Sequence, residues 1–219
     1  MRARSKYTPS ALPAANAGLT LHCSAHGLGC HWVRLVLAEK DVEGARVELL
    51  APGRHHEDLL LLNPSHVLPT LVERDLVLYP AAVIIDYLDE RYPHPRLLPS
   101  DPPSRARLRM VLTQLQSELL PLLTPPSASA AAQKQRRQLA DQLAAIHRLL
   151  PARGWFLGLD YNQVDTLWAV LLWALRGSDN EFLARPVRDS LERYGERLFA
   201  RPAFARSQPP TVSPARGRG

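Results

Sequence analysis

The sequence predicts an α/β amino-terminal unit followed by an all-helical carboxy-terminal one. Three observations carry this. Leu68 to Leu88 reads as strand, polar turn, strand and apolar helix. Leu19 to Lys40 reads as a short strand followed by an amphipathic helix. Beyond a segment with five prolines, Pro93 to Pro103, apolar residues recur only at helical spacing.

The elements follow in order. Leu19 to Cys23 alternates as a strand, and Trp32 to Lys40 places Val33, Val36 and Leu37 on one helical face. Leu68-Pro69-Thr70-Leu71-Val72 forms the next strand, Glu73-Arg74-Asp75 the turn, and Leu76 to Tyr79 its partner. Pro80 then opens a helix, because the first helical N–H has no intrahelical partner to lose. Ala82 to Leu88 is mostly apolar and reads as buried. After the extended connector, Ser104 is expected to cap a helix running to about Leu120. A second helix covers about Ala131 to Leu150, with Leu139, Leu143, Ile146 and Leu150 on one stripe. Asn162 caps a third, with Asp165 as its capping-box partner and an almost wholly apolar run from Leu167 to Leu175. A last amphipathic helix spans about Pro186 to Leu198. The organisation expected is therefore a basic disordered tail (1–18), an α/β domain (19–92), a proline-rich connector (93–103), a helical domain (104–206) and a second basic tail (207–219).

Composition narrows the function classes. At 219 residues and 46% apolar content, a sizeable core is within reach. No run approaches the length of a membrane helix, and the amino terminus lacks the apolar stretch of a secretory signal. Two cysteines make no disulfide framework, which fits a reducing cytoplasm. The formal charge of +6 comes from the tails: Arg2, Arg4, Lys6, Arg206, Arg216 and Arg218 set aside, 21 Lys and Arg balance 21 Asp and Glu. The body is neutral in sum, and no groove-reading motif appears, so sequence-specific nucleic-acid binding by the folded part is not expected.

The segment Asn63 to Pro95, NPSHVLPTLVERDLVLYPAAVIIDYLDERYPHP, together with VRLVLAEKDV at Val33 to Val42, resembles the thioredoxin-like domain of the glutathione transferase superfamily. Within it, the PTLV, YLDER and PHP elements are most similar to the stringent starvation protein A family. The resemblance implies a thioredoxin-like domain plus a helical domain, a cis peptide before Pro69, and a homodimer. In the thiol-dependent relatives a nucleophile opens the first helix; here that position is Gly27, and Cys30 occupies the second, resolving position. Cys30 is the one remaining thiol candidate, and it also suits an inert buried side chain. The acidic residue and Ser that hold the γ-glutamyl carboxylate correspond to Pro80 and Ala81. These departures point away from catalysis and from glutathione in its usual pose, and no cofactor is implied. The family likeness makes RNA polymerase holoenzyme the expected partner, contacted through Tyr92, Pro93, His94 and Pro95. The alternative is a glutathione-dependent transferase or thiol reductase using Cys30.

Two further groups stand out. His22, Cys23, His26, Cys30 and His31 crowd ten residues, at spacings unlike the usual zinc pairs, so no metal is expected. Asp86, Asp89, Glu90 and Arg91 read as a solvated helix face rather than an acid–base set. His55, His56 and His66 show no pattern.

Overall fold

The computed structural model describes residues 18–51, 59, 63–123, 129–158, 160–176 and 180–209. The tails 1–17 and 210–219, and His55 and His56, lie outside the described residues.

The amino-terminal unit is a four-stranded sheet with the order β2-β1-β3-β4. Strand β1 (Leu19–Ser24) runs parallel to β2 (Arg46–Leu50) and antiparallel to β3 (Thr70–Glu73), which pairs with β4 (Leu76–Leu78). Helix α1 (Leu28–Glu39) crosses over between β1 and β2, and α2 (Ala81–Arg91) follows β4. Both pack on the sheet through Val33, Val36, Ile84, Ile85 and Leu88. This is the thioredoxin-like arrangement.

Helix α1 begins four residues before Trp32, where the sequence reading started it. Its opening turn, Leu28-Gly29-Cys30-His31, is masked by glycine in a propensity reading. It ends where Asp41 turns to φ +49°, left-handed backbone that cannot continue a right-handed helix. Strand β2 was not anticipated: it is an edge strand, exposed at Arg46 and Val47, so its pattern lacks a clean buried face. Pro80, expected as the first helical residue, is instead the cap residue of α2, with extended backbone, and the helix begins one position later at Ala81.

The helical unit contains α3 (Pro102–Gln114), α4 (Ser129–Ile146), α5 (Gln163–Arg176), α6 (Arg185–Phe199) and the short α7 (Pro202–Ser207). Helix α3 starts inside the predicted connector. Asp101, not Ser104, caps it by accepting a hydrogen bond from Ser104 N at 2.9 Å, and Pro102 and Pro103 fill its first turn. A turn of π-helix (Leu115–Leu119) follows, then a 3₁₀ turn (Leu120–Leu123) that contains Pro121, which has no N–H to continue an α-helix. Helix α5 is buried on nearly every face and forms the centre of the molecule. Asn162 Oδ1 accepts from Val164 N at 3.0 Å, while Asp165 Oδ2 accepts from Asn162 N at 2.9 Å. Asp165 also accepts from Phe156 N at 3.0 Å and from the Tyr194 hydroxyl, fixing the preceding loop and α6 to the same carboxylate. Burial raises the Asp165 carboxyl above its ordinary value, against these hydrogen bonds.

The two units share one core. Trp32 of α1 donates to Thr166 Oγ1 of α5 at 2.7 Å, and Arg201 grips buried Glu39 through two contacts of 2.7 Å. Helix α7 lies on α1: Arg34 Nε donates to Ser207 O at 2.9 Å, and His31 Nε2 meets Ser207 Oγ at 3.1 Å.

Candidate functional site

Two places gather the residues singled out above. The first is the mouth between the carboxyl end of β1, the start of α1 and the start of α2. Gly27 is the residue capping α1, and its N–H donates to Ser24 Oγ at 3.1 Å. A Cβ on Gly27 would lie 2.5 Å from that same oxygen, so even a nucleophile's side chain would have to displace Ser24. At Gly29 a Cβ would lie 3.3 Å from both Ala81 Cβ and Pro69 Cδ. The first turn of α1, the Pro69 loop and the start of α2 therefore approach closely. The Leu68–Pro69 peptide is cis, as are Tyr79–Pro80 and His94–Pro95. Pro80 supplies no N–H and Ala81 no hydroxyl, so this helix end offers an anion fewer donors than an acid-Ser pair.

Cys30 sits in that first turn but faces inward, 1% exposed. Its sulfur accepts from Ser24 N at 3.2 Å and from Ser24 Oγ at 3.5 Å. The neighbouring Cys23 thiol, then Ser24 and Arg34, favour the ionised form against the cost of burial and draw the Cys30 thiol down to about 6. Cys23, beside Cys30 and itself buried, is pushed upward. The thiol that is lowered is thus also the buried one.

The second place is the loop after α2. Lys40, the cap residue closing α1, has a side chain with no exposure at all. Its ammonium donates to Asp89 Oδ1 at 2.5 Å, Tyr92 O at 2.8 Å and Pro95 O at 2.6 Å, using all three hydrogens. Asp89 completes the frame from the other side, accepting from Leu97 N at 2.9 Å and Leu98 N at 3.2 Å. Leu97 O accepts from Gln163 N of α5 at 2.9 Å, and the buried Leu97 and Leu98 side chains anchor the loop's exit. Between these anchors Pro93, His94, Pro95 and Arg96 are exposed, and Tyr92 is half-buried with the Arg91 guanidinium 5.5 Å from its ring centre. A buried cation thus presents a rigid, solvent-facing Pro-His-Pro.

Asp89 corrects the sequence reading, which took it with Asp86, Glu90 and Arg91 as a solvated face. Lys40 was missed altogether. A lysine directly following an apolar helix run, with an Asp on the later helix, was the available signal; only the fold brings them together. The histidine-cysteine group disperses: His22 pairs with Glu48 at 3.1 Å, His31 with Ser207, and Cys23 with Cys30. Among the described residues no three His, Cys, Asp or Glu side chains converge as a metal site.

A thioredoxin-like sheet capped by a helical bundle, with a glycine-opened α1 and the loop before β3 folded against it, defines a protein of the glutathione transferase superfamily. Residues 27–96 match the glutathione S-transferase N-terminal domain family. The Tau class glutathione S-transferase of mango superposes with a TM-score of 0.75 at 24% identity, covering 89% of this chain and 94% of that one. The stringent starvation protein A homolog of Haemophilus influenzae is 36% identical over 193 residues, 86% of this chain and 89% of the relative. The maleylacetoacetate isomerase of Pseudomonas aeruginosa is 31% identical over 81% of this chain and 89% of its own length. The chain belongs to the stringent starvation protein A family.

Proposed function

We propose that this protein is a non-catalytic transcriptional regulator that acts by binding RNA polymerase holoenzyme through Tyr92, Pro93, His94 and Pro95. The observation that carries the reading is the Lys40–Asp89 frame, which holds an exposed aromatic-proline-histidine surface in one conformation. Such preorganisation removes ordering cost from association. The emptied nucleophile position at Gly27 and the loss of donors at Pro80 and Ala81 support a scaffold used for contact rather than turnover. In this reading the protein works in the cytoplasm as a homodimer, for which Leu76, Tyr79, Val83 and Met110 offer exposed apolar contact. The test is capture from a nuclease-treated bacterial lysate at low salt. The native chain is expected to recover polymerase subunits and the His94→Ala variant to lose them. No recovery by the native chain, or equal recovery by both, overturns the proposal.

A second reading has one specific support, the Cys30 thiol drawn down to about 6 in a chain related to an isomerase. A glutathione-dependent transferase or thiol reductase would bind glutathione-agarose and turn over an electrophilic substrate, with turnover lost in Cys30→Ser. Burial of that sulfur argues against it, and absence of both retention and turnover removes it.

A further inference from the structure

The neutrality of the folded body conceals a separation of charge along the chain. Residues 18–101 hold seven Lys and Arg against twelve Asp and Glu, whereas residues 102–153 hold eight against two, Glu118 and Asp141. In the first region Lys40 pairs with Asp89, Arg46 with Glu48, and Arg91 lies near Glu73. Helix α4 carries its cations without such pairs. Lys134, Arg136, Arg137 and Arg148, the last just past its end, are exposed, and none makes an ion pair among the described residues. Arg137 does not close on Asp141, four residues on, although that spacing permits it. Leu139 and Leu143 turn the opposite side of the helix into the core, so Lys134, Arg137 and Arg148 fall on its outward stripe. Unpaired like charges on one helix repel one another and add nothing to folding.

We infer that this stripe of α4 binds the phosphate backbone of double-stranded nucleic acid, without reading sequence. Lys134 to Arg148 spans roughly 21 Å at about 1.5 Å per residue, a length over which a duplex presents about a dozen phosphates at one per ~1.7 Å. The neighbouring outward residues Gln133, Gln138, Ala144 and Ala145 are polar or small. An aromatic platform for unpaired bases is lacking on this stripe, as is the apolar band with which a surface helix enters a lipid headgroup layer. It equally lacks the aromatic and apolar anchors of a protein interface core. One acid, Asp141, lies on the same stripe, so Lys134, Arg137 and Arg148 leave it a net charge of +2; with Gln133 and Gln138 they supply the cationic and amide donors that fit phosphate oxygens. The inference is independent of the polymerase reading, since it concerns a binary complex and residues of α4 rather than the loop around His94.

The experiment is fluorescence anisotropy of the full chain with a labelled ~20-base-pair DNA duplex of arbitrary sequence, titrated between about 50 and 200 mM salt. A variant carrying Lys134→Gln, Arg137→Gln and Arg148→Gln is compared with a charge-matched one carrying Arg185→Gln, Arg188→Gln and Arg193→Gln on α6. Both retain the basic tails, and circular dichroism checks their fold. The α4 variant is expected to bind less tightly, its slope of log affinity against log salt shallower by about 2.7, at ~0.9 per lost phosphate contact. The α6 variant should keep the native slope. Equal losses in both variants, or no loss in the α4 variant, overturn the proposal, as does a native chain that fails to bind at the lowest salt. Should the triple variant misfold, Arg137→Gln alone must lower the slope by about 0.9.

Discussion

At the scale of single residues, two buried ionisable groups define what each end of α1 can do. Lys40 is balanced by Asp89 and two carbonyls, so removing it strands a carboxylate inside the fold. Replacing Lys40 with Met is expected to cost about 3–5 kcal/mol, the usual penalty for breaking a buried pair from one side. The loss should be local in its signature: Leu97 and Leu98 amides, which donate to Asp89, exchange faster with solvent in the variant. Unchanged exchange at those two amides would mean the frame does not hold the loop. At the other end, the Cys30 thiol is lowered from its ordinary value to about 6, with the Cys23 thiol as the first cause. Ultraviolet titration of the native protein should show one thiolate forming with a midpoint at about 6. Cys23→Ala should move that midpoint upward, and iodoacetamide should react far more slowly with the native than with the unfolded chain. Rapid alkylation of the native protein would place the sulfur at the surface and revive the thiol-reductase reading.

Among the elements, α7 is attached in part through a titratable contact. His31 Nε2 faces Ser207 Oγ, Gln208 Nε2 lies 3.3 Å away, and the Phe204 ring sits 5.6 Å off. Burial, with the nearby Arg34 charge, lowers the imidazole to about 4 from an ordinary value of 6.5. The unfolded chain therefore binds a proton between these limits that the folded chain refuses. Stability falls as pH drops from about 6.5 toward 4, by up to about 3 kcal/mol from this group. Urea denaturation across that range should show the decline, and a His31→Gln variant should show it reduced by that amount. Equal pH dependence in both proteins would mean His31 is free to protonate in place. The same scale shows what was legible from sequence. The run Asn162-Gln163-Val164-Asp165 displays its cap in local order because a capping box is satisfied within one turn. Strands β3 and β4 were legible because a polar turn separates two apolar runs. Helix α7 and strand β2 were not: six residues are too few for a helical period to register, and β2 is a five-residue edge strand with no fully buried position to mark a core face. The Lys40–Asp89 frame lay beyond reach for a different reason. Its partners are 49 residues apart, and only the packing of α1 against α2 makes them neighbours.

For the whole molecule, the question is whether the two units behave as one. Their boundary holds Trp32 against Thr166, the Gln163 amide on Leu97, and above all Glu39 with Arg201. Glu39 is nearly enclosed, its side chain 4% exposed, and the Arg201 guanidinium completes the site with its carbon 3.6 Å from the Tyr161 ring centre and 5.3 Å from that of Trp155. Hydrogen bonding to Glu39 raises the Arg201 pKa further, so the cation never leaves by deprotonation. An interface built this way couples the units, because separating them exposes an apolar core and breaks a desolvated ion pair together. Thermal unfolding should accordingly be a single transition, with far-ultraviolet circular dichroism and tryptophan fluorescence coincident. Arg201→Leu leaves Glu39 buried without its cation and should cost about 3–5 kcal/mol. Glu39→Leu combined with Arg201→Leu should recover most of that loss, since an apolar pair of fitting shape is often neutral in place of a buried ion pair. Recovery would assign the cost to the stranded carboxylate. A double variant as unstable as the single one would instead assign it to the stacking of Arg201 on Tyr161 and Trp155, and the coupling between the units would then rest on packing rather than on charge.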